Sequence, residues 1–492
     1  MLGWFQRSWA LTAVLEDARL APAAVGPLDN AGWSVALDGD TAVVGVPSVG
    51  GPEAAVVFAR DAQGSWVEQA RLTPGSGVLA SGFGLAVALD GDTAVIGAPH
   101  AAGKGAAYVF VRSADGSWLL QATLVGRDTD DGDQLGTAVI VAGDTVLIGA
   151  PNADVGTIRA GAVYAFKRDA AGAWAEQAKF SSSDYRTGDK FGCALAMSGP
   201  LVLVGAYYDD DGLGAAFVFA QDAGGNWVEQ AKLTAGDTAV GDRFGHAVAL
   251  SDATALVGAY RHNAGRGAVY VFTQDAGGSW QPQAKLTASD GGDEHKFGTS
   301  LTMQGNLAVI GAPYDGDGGN PTGSAYVFAQ DGMGTWHERV RLAALDAQPG
   351  DNFGYAVALN GRALLVGAYG VDHPAAVDGG AAYLFTAPDV LVDVTPLGPT
   401  SVPAGGTFAY RVQLMNRTAV PLSVQAAVLG RAPGGAEVVL QGPVTLTLNP
   451  GEVKVQSFAQ TLPPGFTGEF ELVGQVVTAM TWVEDAVSYT VP

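Results

Sequence analysis

The chain has 492 residues, 70 of them glycine, with 48% hydrophobic and 15% charged side chains and a net charge of −23. That hydrophobicity excludes a disordered chain, and glycines without a three-residue period mark tight turns between short strands. The acidic excess repels phosphate backbones and anionic lipid, which argues against nucleic acid and membrane-surface partners.

No apolar run is long enough for membrane insertion. The single cysteine, Cys193, has no intrachain partner for a disulfide. The opening residues, Met1 to Arg7, have neither the basic stretch nor the long apolar stretch of a signal peptide.

In chain order, the first strand signal is Val14 to Leu20 (VLEDARL), which matches Val67 to Leu72 (VEQARL) in pattern. A unit such as Ser81 to Leu124 then recurs at a spacing of roughly 52–56 residues. Tryptophans mark the period at Trp66, Trp118, Trp174, Trp227, Trp280 and Trp336. Phe-Gly pairs do the same at Phe83, Phe191, Phe244, Phe297 and Phe353, with Leu135-Gly136 as a variant.

Each unit contains four strand signals: Leu85 to Asp90, Thr93 to Ala98, Ala106 to Arg112 and Trp118 to Leu124 in the second copy. Apolar strands joined by tight turns suit a sheet buried on both faces. Pro99, Pro151 and Pro313 end second strands because proline cannot donate to a ladder. Units of this size bury two faces only by packing radially against one another.

First, second and third strands recur seven times, from near Trp33 to near Tyr355, but the last set lacks its fourth strand. The N-terminal strand is expected to supply it. The predicted fold over residues 8–389 is therefore a seven-bladed β-propeller, closed by the N-terminal strand so that no free edge remains. From about residue 390 to 492 the repeat stops. Alternating strands such as Thr407 to Asn416 and Glu452 to Leu462 predict a small immunoglobulin-like β-sandwich, without the Cys–Trp–Cys pattern.

Chain direction sorts the loops. First-to-second and third-to-fourth turns share one end of the sheets and are short. Second-to-third connections and those leading into Phe-Gly share the other end and vary, and variable loops on a rigid scaffold are where binding sites concentrate. The distinctive stretches there are AYYDDDGLG, AYRHNAGRG and APYDGDGGN.

In these stretches Tyr208, Asp210, Arg261, His262 and Tyr314 are the candidate ligand-binding residues. Tyrosines offer an apolar ring with a polar tip for a half-wet site. Asp209, Asp211, Asp315 and Asp317 are the candidate metal ligands, with calcium as the cofactor their alternating carboxylates would suit. Their competing role is to cap turns.

Tyr207, Tyr260 and Tyr369, standing where other repeats have proline, are expected to pack between blades. Asp133, Asp189, Asp242 and Asp351 recur two residues before the Phe or Leu of the Phe-Gly motif and are assigned to turn hydrogen bonding. His262 and His295, beside Asp293 and Glu294, offer an alternative transition-metal site. No Gly-x-Ser-x-Gly, phosphate-loop, His-Glu-x-x-His or Cys-x-x-Cys motif occurs.

The recurring Phe-Gly followed by Gly-Ala-Pro (Phe83-Gly84 and Gly97-Ala98-Pro99) resembles the FG-GAP repeat of integrin α-subunit propellers. It is closer still to repeats of bacterial extracellular and cell-surface proteins. The resemblance covers about three quarters of the chain and implies a propeller, a secreted or cell-surface location and a role in binding or adhesion.

It does not carry over the integrin calcium loop. Between first and second strands stand only short turns (Asp38-Gly39-Asp40, Asp90-Gly91-Asp92, Gly143-Asp144, Ser251-Asp252), too short to wrap a cation. The expected function is a non-catalytic module recognising a glycan or protein through the variable loops. The alternatives are a structural subunit that self-associates into a surface layer or filament, and a carbohydrate-active enzyme with its site at the channel mouth.

Overall fold

The computed structural model describes residues 15–49, 51–75, 81–316, 321–331, 334–361, 363–374, 376–386, 390–399, 401–403, 406–416, 422–431, 437–449, 453–461, 468–477 and 482–491. The fold is all-β. Among the described residues the helices are single turns, Ala101–Gly103, Asp209–Gly212 and His262–Gly265, and none is long and apolar enough to cross a membrane. Two compact units form, one of Glu16–Trp336 with Arg341–Phe385 and one that holds Thr386–Pro492.

In the larger unit the described residues form seven four-stranded antiparallel sheets, six of them built in simple chain order. The second is representative: Ala86–Asp90, Thr93–Ala98, Ala106–Arg112 and Trp118–Leu124. Its second strand is buried throughout and its third over the first five residues. The sequence there reads as near-continuous apolar residues, because both faces are covered.

The seventh sheet consists of Ala356–Asn360, Ala363–Ala368 and Ala381–Thr386, and its outer strand is the N-terminal Leu15–Leu20. First strands of successive sheets touch, and Val35–Asp38 of the first sheet touches Ala356–Asn360 of the last.

One glycine pair explains the motif. The Gly136 amide donates to the Gly149 carbonyl within its own repeat, and Gly136 has φ +98, a region open mainly to glycine. Its carbonyl lies against Gly97 of the preceding sheet, where an added Cβ would sit 2.1 Å from that oxygen. The same contact recurs around the unit, including Gly367 against Gly32, which joins the last sheet to the first. So the glycine of Phe-Gly is required by backbone angle, and the glycine of Gly-Ala by close approach of the neighbouring chain.

The fourth strands carry a second repeated device. Opposite Val109 and Phe110 stand Ala122 and Leu120, so Gln121 bulges out of the ladder. Gln69, Gln177, Gln230 and Gln283 are skipped in the same way. A bulge turns its side chain outward. Gln69 and Gln121 accept the indole N–H of Trp118 and Trp174 in the next sheet, at 3.1 and 2.8 Å.

The smaller unit pairs a three-stranded sheet (Val390–Pro396, Thr407–Asn416, Val453–Thr461) with a four-stranded one (Glu437–Leu448, Leu422–Arg431, Gly468–Val477, Trp482–Val491). Val394, Phe408, Tyr410 and Leu414 from the first sheet share one core with Val424, Val428, Leu448 and Leu472 from the second.

Candidate ligand-binding loop face

The loop entering each Phe-Gly is shaped by the repeated aspartate. Asp133, Asp189, Asp242 and Asp351 each accept the backbone N–H of the residue three positions earlier, at 2.5–2.9 Å, the local bond that shapes an aspartate turn. Their carbonyls accept a second bond from the loop after the second strand, as from Tyr208 N–H to Asp189 and Arg261 N–H to Asp242, both 3.2 Å. The two variable loops of a repeat are thereby tied side by side. Burial pushes the carboxyls of Asp133, Asp189 and Asp351 above the usual range, against the pull of their amide donors.

The residue after that aspartate is left-handed: Asn30, Gln134, Lys190, Arg243 and Asn352 have φ of 54–65°, and Lys296 takes the same position after His295 with φ 59°. The second repeat uses Gly82 there. From these positions cations meet the tyrosines of the neighbouring loop. The Arg243 guanidinium lies 4.0 Å from the Tyr208 ring centroid and 5.0 Å from that of Tyr207. Lys296 Nζ lies 4.0 Å from the Tyr314 ring, and Arg261 lies 5.7 Å from that of Tyr260.

Between them, the His246 ring meets that of Tyr260 at 4.6 Å, tilted, and that of Tyr207 at 5.6 Å, edge-on. Burial, reinforced by Arg243 and Arg261, holds the imidazole down at about 4. Further along, Trp33, Tyr355 and Tyr369 meet one another at 4.6–4.9 Å. Tyr207 and Tyr369 each bridge to the residue after Phe-Gly (or Ala-Gly) in the next repeat, so these tyrosines do pack between neighbours. Cys193 lies beside Tyr207, and burial pushes its thiol up to about 12.

Of the five candidate ligand-binding residues, Tyr208, Arg261 and Tyr314 stand among these rings and cations, and Tyr208 is 40% exposed. Asp210 and His262 are engaged elsewhere. Asp210 pairs with Lys232 at 2.7 Å and with Arg186 at 2.9 Å. His262 Nδ1–H donates to Asp242 at 2.7 Å, and its Nε2 accepts from Lys285 at 2.8 Å.

Among the metal candidates, Asp209 and Asp210 join Asp184 with carboxylate oxygens within 4.8 Å of one another. The Lys232 ammonium sits among all three, at 2.5 Å from Asp209 and 2.7 Å from each of the others. Asp211 is exposed, with φ 60°, and does not belong to this trio. Asp315 is buried and pairs with His295 and Arg341, both at 2.7 Å, and accepts from Tyr326 at 2.9 Å. Asp317 lies outside the described residues.

Sequence reasoning passed over the partners of these acids, although a signal existed. In four repeats a basic residue near the end of the fourth strand is followed five positions later by aspartate: Lys179 and Asp184, Lys232 and Asp237, Lys285 and Asp290, Arg341 and Asp346. These aspartates, and Asp128 at the equivalent position, pair with the basic residue of the next repeat: Asp128–Lys179 2.7 Å, Asp184–Lys232 2.7 Å, Asp237–Lys285 2.7 Å, Asp290–Arg341 3.5 Å and Asp346–Arg19 2.8 Å. Tyr164, Tyr270, Tyr326 and Tyr383 donate to the same carboxylates at 2.7–2.8 Å. The acidic clusters are in this way tied to cations of the protein itself.

The family model described as the FG-GAP repeat matches residues 66–110, 118–166, 174–219, 227–272, 280–328 and 336–385, more than half of the chain. No curated protein matches it. Among solved structures, a CARDB domain from Pyrococcus furiosus in complex with di-metal ions is 20% identical, covering 21% of this chain and 89% of that one at a TM-score of 0.18. A beta-glucosidase from Listeria innocua in complex with gluconolactone is 13% identical, with 21% and 16% covered at a TM-score of 0.16. Escherichia coli alpha-2-macroglobulin activated by porcine elastase is 11% identical, with 99% and 44% covered at a TM-score of 0.19.

Proposed function

The chain belongs to the FG-GAP repeat family, and from that premise we propose that it is an extracellular or cell-surface binding module without catalytic activity. In this reading the seven sheets are the blades of a β-propeller closed by Leu15–Leu20, and the smaller unit is an immunoglobulin-like sandwich that serves as a spacer or docking domain. The ligand is a glycan or a protein met by the loop face.

The observation that carries the proposal is the convergence of Tyr207, Tyr208, Arg243, His246, Tyr260 and Arg261 at that end of the sheets. Aromatic rings with polar tips and cations, held on loops by a rigid scaffold, are what recognition surfaces use. The residues bring no nucleophile with a base beside it. Calcium has no part in this reading, since the ammonium of Lys232 already stands where an ion would stand among Asp184, Asp209 and Asp210.

The test is binding of the purified chain to an array of neutral and acidic glycans and to immobilised extracellular proteins. Tyr208→Ala and Arg261→Ala should abolish the signal, while Gln63→Ala in an exposed turn at the other end of the strands leaves it. Equal loss from both ends, or no loss from either, would overturn the assignment of the face.

A further inference from the structure

In a chain of net charge −23, cations are expected to find carboxylates, and most in the larger unit do. Arg19, Arg60, Arg112, Arg168, Lys179, Lys232, Lys285 and Arg341 all make ion pairs. Of the cations without an ion pair, Arg71, Lys104, Arg127 and Arg159 bond backbone carbonyls and Lys167 is exposed on a third strand. Lys190, Arg243 and Arg261 stand instead on the variable loops without such a bond. Among the described residues none of them has an ion-pair partner. Lys190 bonds only the side-chain carbonyl of Asn152. The Nε and Nη1 of Arg243 are covered by protein and have no hydrogen-bond partner. Lys296, the next in line, has only Glu294, at 3.9 Å.

Position makes the pattern specific. Lys190, Arg243 and Lys296 occupy the same left-handed site in three consecutive repeats. Gly82 fills that site in another repeat without a side chain, so the backbone does not demand a cation there. A covered guanidinium without a counter-charge costs stability, and local rules are broken in this way where a function requires it. Three of these cations also have a tyrosine ring beside them: Tyr208 by Arg243, Tyr260 by Arg261, Tyr314 by Lys296.

We propose that this sector of the loop face is an anion-reading subsite for a saccharide that carries carboxylates among neutral sugars, with Arg243, Arg261, Lys190 and Lys296 taking the carboxylates and Tyr208 and Tyr314 the sugar rings. The proposal rests on the loop-face reading above and narrows its ligand. Guanidinium groups match the planar carboxylate, and tyrosine presents ring face and hydroxyl to a sugar. A continuous polyanion is disfavoured, because the rest of the acidic surface repels it. A sugar chain with spaced carboxylates meets the cations without that penalty.

The experiment is calorimetric titration of the full chain with a hyaluronan oligosaccharide and with the same oligosaccharide after reduction of its carboxylates to alcohols. A polyglutamate peptide serves as the acidic protein comparator. Native hyaluronan oligosaccharide should bind at least about tenfold more tightly than the reduced form, with affinity falling as salt is raised.

Arg261→Met, at an exposed position, should remove about that tenfold without changing the melting temperature. Arg243→Met should do the same with equal or higher stability, since it deletes an unpaired charge. Equal binding of native and reduced forms, lost on Tyr208→Ala, would overturn the carboxylate-reading site and leave the loop face standing. Tighter binding of polyglutamate would replace the saccharide by an acidic protein. No binding of any probe, with an array signal that is also insensitive to Tyr208→Ala, would sink both readings.

Discussion

Arg19 Nη1 and Asp346 Oδ2 lie 2.8 Å apart across 327 positions of sequence. Asp346 also accepts the Tyr383 hydroxyl at 2.8 Å. The arrangement repeats the Lys179–Asp128–Tyr164 and Lys285–Asp237–Tyr270 sets found between sheets that follow one another in the chain. The N-terminal strand therefore supplies to the seventh sheet the cation that Lys179 and Lys285 supply to theirs.

Deletion of residues 1–20 should lower the stability of the whole larger unit in one cooperative step, because the outer strand of the seventh sheet and a buried Leu20 are lost together. Arg19→Ala alone should cost no more than about 1 kcal/mol, since both partners are partly exposed. Chemical denaturation of the two variants separates the strand from its ion pair. A deletion that leaves the midpoint unchanged would refute the role of the strand.

Gly149→Ala is expected to be severely destabilising, by more than about 3 kcal/mol. The new Cβ would lie 1.9 Å from the Gly192 carbonyl oxygen, a backbone atom that two sheets hold in place. Gly143→Ala meets nothing within 4 Å and pays only for its φ of +54, about 1 kcal/mol. Urea midpoints of the pair measure the difference between crowding and backbone angle.

Lys232→Met removes the ammonium from among Asp184, Asp209 and Asp210, and Asp209 is 2% exposed. The expected loss is about 3 kcal/mol at pH 7. Burial already raises the Asp209 carboxyl, and a carboxyl raised in the folded state regains stability as pH falls, so the variant should recover part of its loss near pH 5. The wild-type melting curve should be the same in calcium as in chelator. A calcium-dependent upshift that Asp209→Asn abolishes would show that an ion displaces the lysine.

His246 sets an acid limit. Burial between Tyr207 and Tyr260, with Arg243 and Arg261 nearby, holds its folded pKa at about 4, below the ordinary 6.5 of an unfolded chain. A depressed value means that its contribution is complete above about pH 6.5 and is lost as pH falls through 4, on the order of 3 kcal/mol in all. The loss of stability between pH 7 and pH 4 should be smaller by that amount in His246→Phe. Parallel pH profiles for the two proteins would refute it.

Much of the fold was legible from the chain. Strand limits such as Thr93–Ala98, Ala106–Arg112 and Trp118–Leu124 follow from apolar runs between glycine turns, and the pairing of the N-terminal strand follows from counting strands. These are local or periodic properties, and sequence alone states them. The turn role of Asp133, Asp189, Asp242 and Asp351 was legible for the same reason, since each bond spans three residues.

The site was less legible, because its chemistry depends on which repeats meet. Asp209, Asp210 and Asp315 stand out in the sequence as a charge cluster, yet Lys232 and Arg341 reach them from fourth strands more than twenty residues away. The cation row of Lys190, Arg243 and Lys296 is invisible at a spacing of 53 residues until packing of the sheets brings equivalent loops side by side. Composition and period determined the strands and their order. Only the tertiary structure decided which charges are met by a counter-charge and which are left without one, because a charge is neutralised by whatever lies within a few ångströms of it, at whatever distance along the chain.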